Sequence, residues 1–510
     1  MNLKLMLEEA AERFADKTAI VIGKRRVSYT ELDETSNKVA NALIKMGVKK
    51  GDRVATLQSS SPEFVTIFFG IIKAGGIAVP LDARCIIDEL ACIFNDCQPK
   101  VLVAESPSID LLAPDLSRFD SIKHVIDLSS KYKEKFTDYQ EIMAASSAQR
   151  MNVEMAPDDT GIISYTGGPT NKPLGVALSH RSICTEAITS GDVFQQTDKD
   201  ILMLFALPMY HMFGLTAVLL ASIDKGSTIV IIPGTGRSID SFMEAVEKER
   251  GTMYMGVPYI YALAINVARR EGINHDLSSL RLCISGGAPL PIEITKLFKQ
   301  YYGFNLLDIY GQTESISQIT FSPIDGSGKI GSSGKPMPCW EIKIVDDNDH
   351  ELPPNQTGEI IARGPTMTGF YNNPQATARA LKNGWLHTGD IGRIDEDGYL
   401  FITGRKRKML ILKGQNIYPN DIEDVLNAHP KIAEVKVIGV TDVIRGETVK
   451  VLIRLKPGET ATEQEIRQFC RGRMADYKLP REITFTDIIP EVTPAWTRPE
   501  SPRVPEFKLE

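Results

Sequence analysis

The chain has 510 residues, 43% of them apolar and 24% charged, with 39 glycines, 29 prolines and a formal net charge of −7. At roughly 100–200 residues per domain that length exceeds one simple core, and the composition excludes disordered, collagenous and coiled-coil architectures. The faintly acidic balance, without long single-sign blocks, lacks the basic footprint that nucleic-acid binding requires, so no nucleic-acid partner is expected.

The N-terminal text MNLKLMLEEAAERFADK predicts an amphipathic helix carrying acids, without the basic start, apolar run and cleavage site of a signal peptide. Residues 53–57 predict a strand; Ser61 as cap and Pro62 at the first helical position then open a helix to about Lys73. Further strands are predicted at 77–79, 101–104, 161–163, 227–232, 253–257, 281–285 and 306–309, with a helix at 241–248 behind a Ser238 cap. The segment 201–222 has bilayer length, but Pro208, His211 and Gly214 near its centre predict a buried globular segment and no transmembrane span. From about Lys335 the text becomes strand-rich with turns at 346–349, 355–358 and 395–398; two helices and several strands follow Gly404. The expected fold is therefore α/β: a large N-terminal domain (1–404) of layered α/β subdomains plus a β-rich subdomain, then a small α+β domain (405–510). Seven scattered cysteines without a CxxC pair suit a reducing cytoplasm.

Five stretches could carry chemistry. The glycine-rich run SYTGGPTNKPLG (164–175) follows a strand and can aim backbone N–H groups at phosphate oxygens; it is not a Walker loop, and an ordinary turn is its bland alternative. SGGAP (285–289) exposes backbone against which a planar ring could lie. DIYGQTE (308–314) sits at a strand end, where ligands of open α/β sheets gather, and combines an aromatic ring, a hydroxyl and a carboxylate able to ligate magnesium. In HTGD (387–390) a carboxylate after a tight turn could accept two ribose hydroxyls, or simply form an Asx turn. KGQNIYPNDIE (413–423) is a turn opening a helix, and the basic run 405–408 before it reads by itself as a solvated face. HExxH, GxSxG and GxGxxG patterns with their required context are missing, which sets aside zinc hydrolase, serine hydrolase and dinucleotide oxidoreductase chemistry.

Taken in order, YTGGPTNKPLGVALSH at 165, LPMYHMFG at 207, GVP at 256, SGGAPL at 285, DIYGQTE at 308, GEIIARGP at 358, GWLHTGD at 384, GRKRKMLILKGQNIYPNDIE at 404 and YKLP at 477 resemble the AMP-forming acyl-CoA synthetases of the adenylate-forming superfamily. The resemblance runs from about residue 8 to residue 490, and within it the look is closest to fatty-acid–CoA ligases, with aryl-acid ligases as the alternative. It implies a carboxylic acid, ATP, magnesium and coenzyme A as reactants or cofactors, a cytoplasmic monomer or homodimer, and two steps: an acyl-AMP forms with release of pyrophosphate, and a thiol then takes the acyl group.

By the same resemblance Thr166, Gly168 and Thr170 handle the triphosphate, and Gly286, Gly287, Ala288 and Pro289 sandwich adenine with Tyr310. Backbone around Asp308, Ile309, Gly311 and Gln312 completes the nucleotide site, while Thr313 touches the α-phosphate and Glu314 the metal. Asp390 holds the ribose and Arg405 supports ribose and phosphate. His211 stands beside the acyl carboxylate, and with Met212, Gly256, Val257, Gly287, Gly311 and Ile316 lines an acyl pocket. A satisfied buried histidine is the alternative reading of His211. The segment around it reads YHMFG, without the aspartate that amino-acid-activating relatives carry, so an amino-acid substrate is not expected. Arg407 is the implied hinge of a rotating C-terminal domain, and Lys413, Gly414 and Gln415 the face presented to CoA.

Two departures stand out. The family loop reads approximately YTSGTTGxPKGV, whereas Gly167, Pro169, Asn171 and Leu174 replace its serine, first threonine, glycine and lysine. At the far end Ala495 and Trp496 occupy the positions of the glycine and the adenylation lysine, within an atypical, proline-rich tail over 491–510. These departures leave three readings open: a tail that is not native, a ligase weakened in adenylation or working mainly on acyl-AMP, and a non-catalytic acyl- or nucleotide-binding homologue.

Overall fold

The computed structural model describes every residue except 167–172, 234–238, 407–409, 413–414, 418, 443–445, 487–488 and 490–510, and backbone alone at 411, 415–416, 420, 441–442 and 446–447. Among the described residues the chain builds two large sheets and two smaller ones, one antiparallel and one mixed.

The first large sheet has nine strands, and its centre is parallel: Thr228–Ile231, Ile201–Leu204, Met253–Gly256, Leu282–Ser285 and Leu306–Tyr310 lie side by side. The second has eight strands, with Ile77–Leu81, Arg53–Leu57 and Val101–Ala104 parallel at its middle. Such strands are buried on both faces, which is why they read as unbroken β-branched runs. Their apolar side chains meet in a core that includes Leu202, Met253, Ile284, Val54, Ile162 and Leu178.

Local signals explain the elements between the strands. Ser61 accepts the N–H of Phe64 and Pro62 opens the helix Pro62–Lys73, which is buried along nearly its whole length between the layers. The N-terminal helix Leu3–Phe14 is capped by Asn2 and turns Leu3, Met6, Leu7, Ala10 and Ala11 inward. The long apolar stretch 201–222 divides into the strand Ile201–Leu204, a loop, and the helix Phe213–Leu220, which is wound with wider π-type turns and buried throughout. Among the described residues no helix is long and apolar enough to cross a membrane. The predicted helix at 241–248 is Ile239–Glu249; its expected cap, Ser238, lies outside the described residues.

The β-rich stretch forms a five-stranded sheet of Glu341–Val345, Gly358–Arg363, Trp385–Ile394, Leu381–Lys382 and Leu400–Arg405 with its own core around Trp340, Ile342, Ile360 and Leu400. The C-terminal text makes a second five-stranded sheet, in which Ile432–Asp442 and Gly446–Leu455 form the longest hairpin, packed on the helices Pro419–Asn427 and Glu463–Cys470. The mixed α/β fold with a large N-terminal and a smaller C-terminal part agrees with the expectation.

Candidate active site

The register of the nine-stranded sheet assembles three of the predicted motifs. Gly256 pairs with Ser285, and Ser285 with Asp308, so the carboxyl ends of adjacent parallel strands deliver GVP, SGGAP and DIYGQTE to one rim. Gly286 donates its N–H to the Gly256 carbonyl at 3.0 Å. Gly287 takes φ +74°, a left-handed conformation that favours glycine, and turns the chain so that Ala288 and Pro289 follow along the rim.

Asp308 is tied down on both sides: its N–H donates to Ser322 Oγ at 3.2 Å and its Oδ2 accepts from Ser333 Oγ at 2.9 Å. Its side chain thereby holds the strand end in place. Tyr310 donates its hydroxyl to Asp390 Oδ2 at 2.7 Å, and the Arg405 guanidinium forms an ion pair with Asp390, Nε to Oδ1, also at 2.7 Å. Asp390 and Arg405 are direct partners across neighbouring antiparallel strands, which brings the HTGD carboxylate and the GRK arginine together over Tyr310. Burial beside this carboxylate pushes the Tyr310 phenol well above its ordinary range, so it remains a donor.

The segment after Tyr310 is tightly wound. Gly311 has no room for a side chain, since a Cβ would come within 2.1 Å of the Ser317 carbonyl oxygen. Thr313–Ser315 form one turn of 3₁₀ helix that ends at Ile316 with φ 69° and ψ −60°. The Glu314 carbonyl accepts from Met367 N–H at 2.9 Å and from Thr366 Oγ at 3.0 Å. Thr366 therefore shapes the site, although only its place just after the GEIIARGP motif hinted at it.

His211 precedes the wide-turned helix. Its Nδ1 accepts the N–H of Phe213 at 3.3 Å, which leaves the proton on Nε2, and burial holds the imidazole below its ordinary pKa. It is thus a neutral donor. Met212 and Ile316 are packed in the inter-sheet core, and Val257 faces a second apolar cluster with Ile260 and Tyr261.

Thr166 ends the strand Thr160–Thr166 and pairs with Leu174, the first residue of Leu174–Ser179, so the glycine-rich run links two antiparallel strands. Tyr165 anchors this hairpin through a hydrogen bond to Asp96 Oδ2 at 2.6 Å. Gly168, Thr170, Arg407, Lys413 and Gly414, together with Ala495 and Trp496, lie outside the described residues, as does the side chain of Gln415. Lys478 of the YKLP motif bridges Glu89 at 2.7 Å and Asp421 at 3.1 Å.

Several donors on this rim are buried without a partner among the described residues: Arg405 Nη1, Gln312 Nε2 and Ser317 Oγ. Buried polar groups are normally satisfied, and this donor-rich set fits an anionic nucleotide.

The AMP-binding enzyme family model matches residues 7–372, and the AMP-binding enzyme C-terminal domain model matches residues 421–494. The chain belongs to the AMP-binding enzyme family. With that membership goes its activity: it is an AMP-forming acid–thiol ligase that works on a small-molecule acid with ATP and coenzyme A. The chain is 33% identical to a long-chain-fatty-acid–CoA ligase of Bacillus subtilis, over 96% of this chain and 92% of that protein. It is 34% identical to an indoleacetate–CoA ligase of Aromatoleum aromaticum, over 96% and 95%. Among solved structures, a double mutant of the Bacillus subtilis o-succinylbenzoate CoA synthetase bound with a CoA product analogue superposes with a TM-score of 0.83 at 28% identity, covering 96% of each chain.

Proposed function

We propose that the protein converts a medium- or long-chain fatty acid to its CoA thioester through an acyl-AMP intermediate in the cytoplasm. The observation that carries this reading is the convergence of Gly256, Gly286, Tyr310, Asp390 and Arg405 on one strand-end rim that also carries unspent buried donors. Residues 1–404 would form the substrate-binding domain and 405–510 a cap turning about Arg407.

In the proposed reaction an acid oxygen attacks the α-phosphorus of ATP, the bond to the pyrophosphate oxygen breaks, and pyrophosphate leaves. Gly286 to Pro289 and Tyr310 would clasp adenine, Asp390 the ribose hydroxyls, and Arg405 the developing charge on phosphate. Thr166, Gly168, Thr170 and Thr313 would hold phosphate oxygens through hydroxyl and backbone donors. Glu314 would hold magnesium, which when bound neutralises the phosphate charge. His211 would donate Nε2–H to the acid carboxylate and orient it for attack. In the second step the CoA thiol displaces AMP from the acyl carbon, a step to which Lys413, Gly414 and Gln415 would contribute by the family resemblance.

Met212, Val257 and Ile316 would supply apolar surface to the acid, and the fatty-acid ligase relative supports an alkyl chain there. The indoleacetate ligase relative favours an aryl acid equally well at the level of overall identity. Incubation with ATP, CoA and a panel of straight-chain acids of six to eighteen carbons alongside aromatic acids distinguishes the two. AMP and thioester should form fastest with an alkyl acid; a preference for the aromatic acids overturns the fatty-acid reading.

A second reading, a homologue that binds acyl-adenylate with impaired adenylation, rests on Leu174. This residue packs its apolar side chain against the core where the resemblance expects a phosphate-binding lysine. In that case synthetic acyl-AMP and CoA give thioester while ATP and acid give little AMP, and Leu174→Lys raises the latter rate.

A further inference from the structure

We propose that Glu186 is a positioning residue for adenylation: it holds the Thr313–Ser315 turn in its strained form by fixing the backbone just beyond Ile316. This rests on the assignment of Thr313 and Glu314 to the phosphate and metal.

Glu186 lies on the helix His180–Val193 and is completely buried. Its carboxylate joins three separate parts of the chain. Oε1 accepts the backbone N–H of Gln318 at 3.0 Å, and Oε2 accepts the indole N–H of Trp340 at 2.9 Å, with Cys339 Sγ a weaker neighbour at 3.8 Å. One helical turn on, Ser190 Oγ accepts from Gln318 Nε2 at 2.8 Å, so the helix grips Gln318 by both backbone and side chain. Burial pushes the Glu186 carboxyl up to about 8, and the hydrogen bonds from Trp340, Gln318 and Cys339 oppose that shift. A buried carboxyl is tolerable only where it is hydrogen-bonded, and the partners that satisfy this one lie on two other stretches of chain, which points to a geometric role.

What it holds is an unusual turn. Ser317 N–H donates to the Ser315 carbonyl at 2.8 Å across Ile316, whose φ 69° and ψ −60° are those of the rare γ-turn with positive φ. A β-branched residue resists this conformation, and such strain persists only where surrounding contacts over-determine it. Ile316 N–H donates to the Thr313 carbonyl at 2.9 Å, so the strained residue and the residue assigned to the α-phosphate are one hydrogen bond apart. On the other side the first fixed point is Gln318 N–H on Glu186. Without that anchor the γ-turn can relax to negative φ and carry Thr313 and Glu314 out of register.

The two donors sit on different carboxylate oxygens, which makes glutamine an informative replacement: one amide oxygen cannot serve both, and its NH₂ would confront one of them. Glu186→Gln should lower ATP–pyrophosphate exchange at least tenfold at saturating ATP and weaken ATP binding at least fivefold by calorimetry. Thioester formation from synthetic acyl-AMP and CoA should change less than threefold. Adding Trp340→Phe removes the competing donor and lets the glutamine oxygen take Gln318 N–H, so the double variant should recover exchange and ATP affinity to within threefold of the parent. A parallel loss of both half-reactions and of melting temperature, deepened in the double variant, would mean a purely structural role and overturn the proposal. If Glu186→Gln does not fold, the double variant decides alone: folded with a tenfold loss of exchange, it overturns the proposal. Thr313→Ala is measured alongside. If it lowers exchange and Glu186→Gln does not, Glu186 has no positioning role; if neither does, the assignment of the turn and the proposal fall together.

Discussion

Arg405 reaches across from the neighbouring strand and forms an ion pair with Asp390 at 2.7 Å, while Tyr310, 80 residues before Asp390, donates to the other carboxylate oxygen. The carboxylate assigned to ribose is thus already aimed by two groups that belong to the same site, and charge-balanced by one of them, Arg405. Pre-aimed groups lose less freedom when a ligand binds, which is how binding energy is preserved for catalysis.

Asp390→Asn keeps the shape but weakens the charge-assisted bonds to Arg405 and, by assignment, to ribose. Such bonds contribute about 1.5–3 kcal/mol each. ATP affinity measured by calorimetry on the folded variant should fall roughly 10- to 100-fold, and the lost ion pair with Arg405 should lower the melting temperature as well.

Gly311→Ala places a methyl group 2.1 Å from the Ser317 carbonyl oxygen, and its other near neighbours, Ser317 C and Gln318 Cα, are backbone too and cannot swing away. Overpacking of this kind costs about 1–3 kcal/mol. The turn carrying Thr313 and Glu314 must shift to relieve it, so adenylation should fall by more than the stability loss alone explains. Parallel thermal melts and pyrophosphate exchange check this.

His180 is buried against Gly161, and burial lowers its pKa from 6.5 to about 4. The depressed value means the folded protein favours neutral imidazole, whereas the unfolded chain protonates first. The stabilisation is complete above pH 6.5, declines as the pH falls, and is gone below about 4, a loss of about 3 kcal/mol. His180→Gln should flatten the acid side of the melting-temperature profile between those limits; an unchanged slope refutes the assignment.

Lys73 is almost wholly buried beside Asp33, and its ammonium also donates to Asn37 Oδ1 at 2.8 Å. Among the described residues, Lys73→Met leaves Asp33 with Arg150 as its one ion-pair partner. Removing one member of a buried pair costs about 3–5 kcal/mol. Adding Asp33→Leu should restore much of the loss in denaturant melts, because the desolvation cost disappears with the second charge.

How far the sequence alone reaches is clear from particular residues. Ser61 and Pro62 announce their helix because a cap acts through bonds three residues away, and the strands announce themselves because two-sided burial demands β-branched runs. The order of the glycine-rich and acidic motifs likewise determined the family and the residues to examine, and Tyr310, Asp390 and Arg405 do meet. The long apolar stretch was readable as globular because its proline, histidine and glycine are poor choices for lipid, but its wide-turned helix was not, since that winding depends on what packs around it.

Glu186 was invisible for the same reason. In sequence it is one acid in the middle of a helix, and its meaning lies in Gln318 and Trp340, 132 and 154 residues away. The strain at Ile316 is equally hidden, because a β-branched residue by itself argues against positive φ. The sequence by itself determined the local elements, the motif order and the family; the tertiary structure decided which buried polar groups share partners. That division follows from range: propensities and caps act within a few residues, whereas the desolvation that fixes a buried carboxylate depends on every element packed around it.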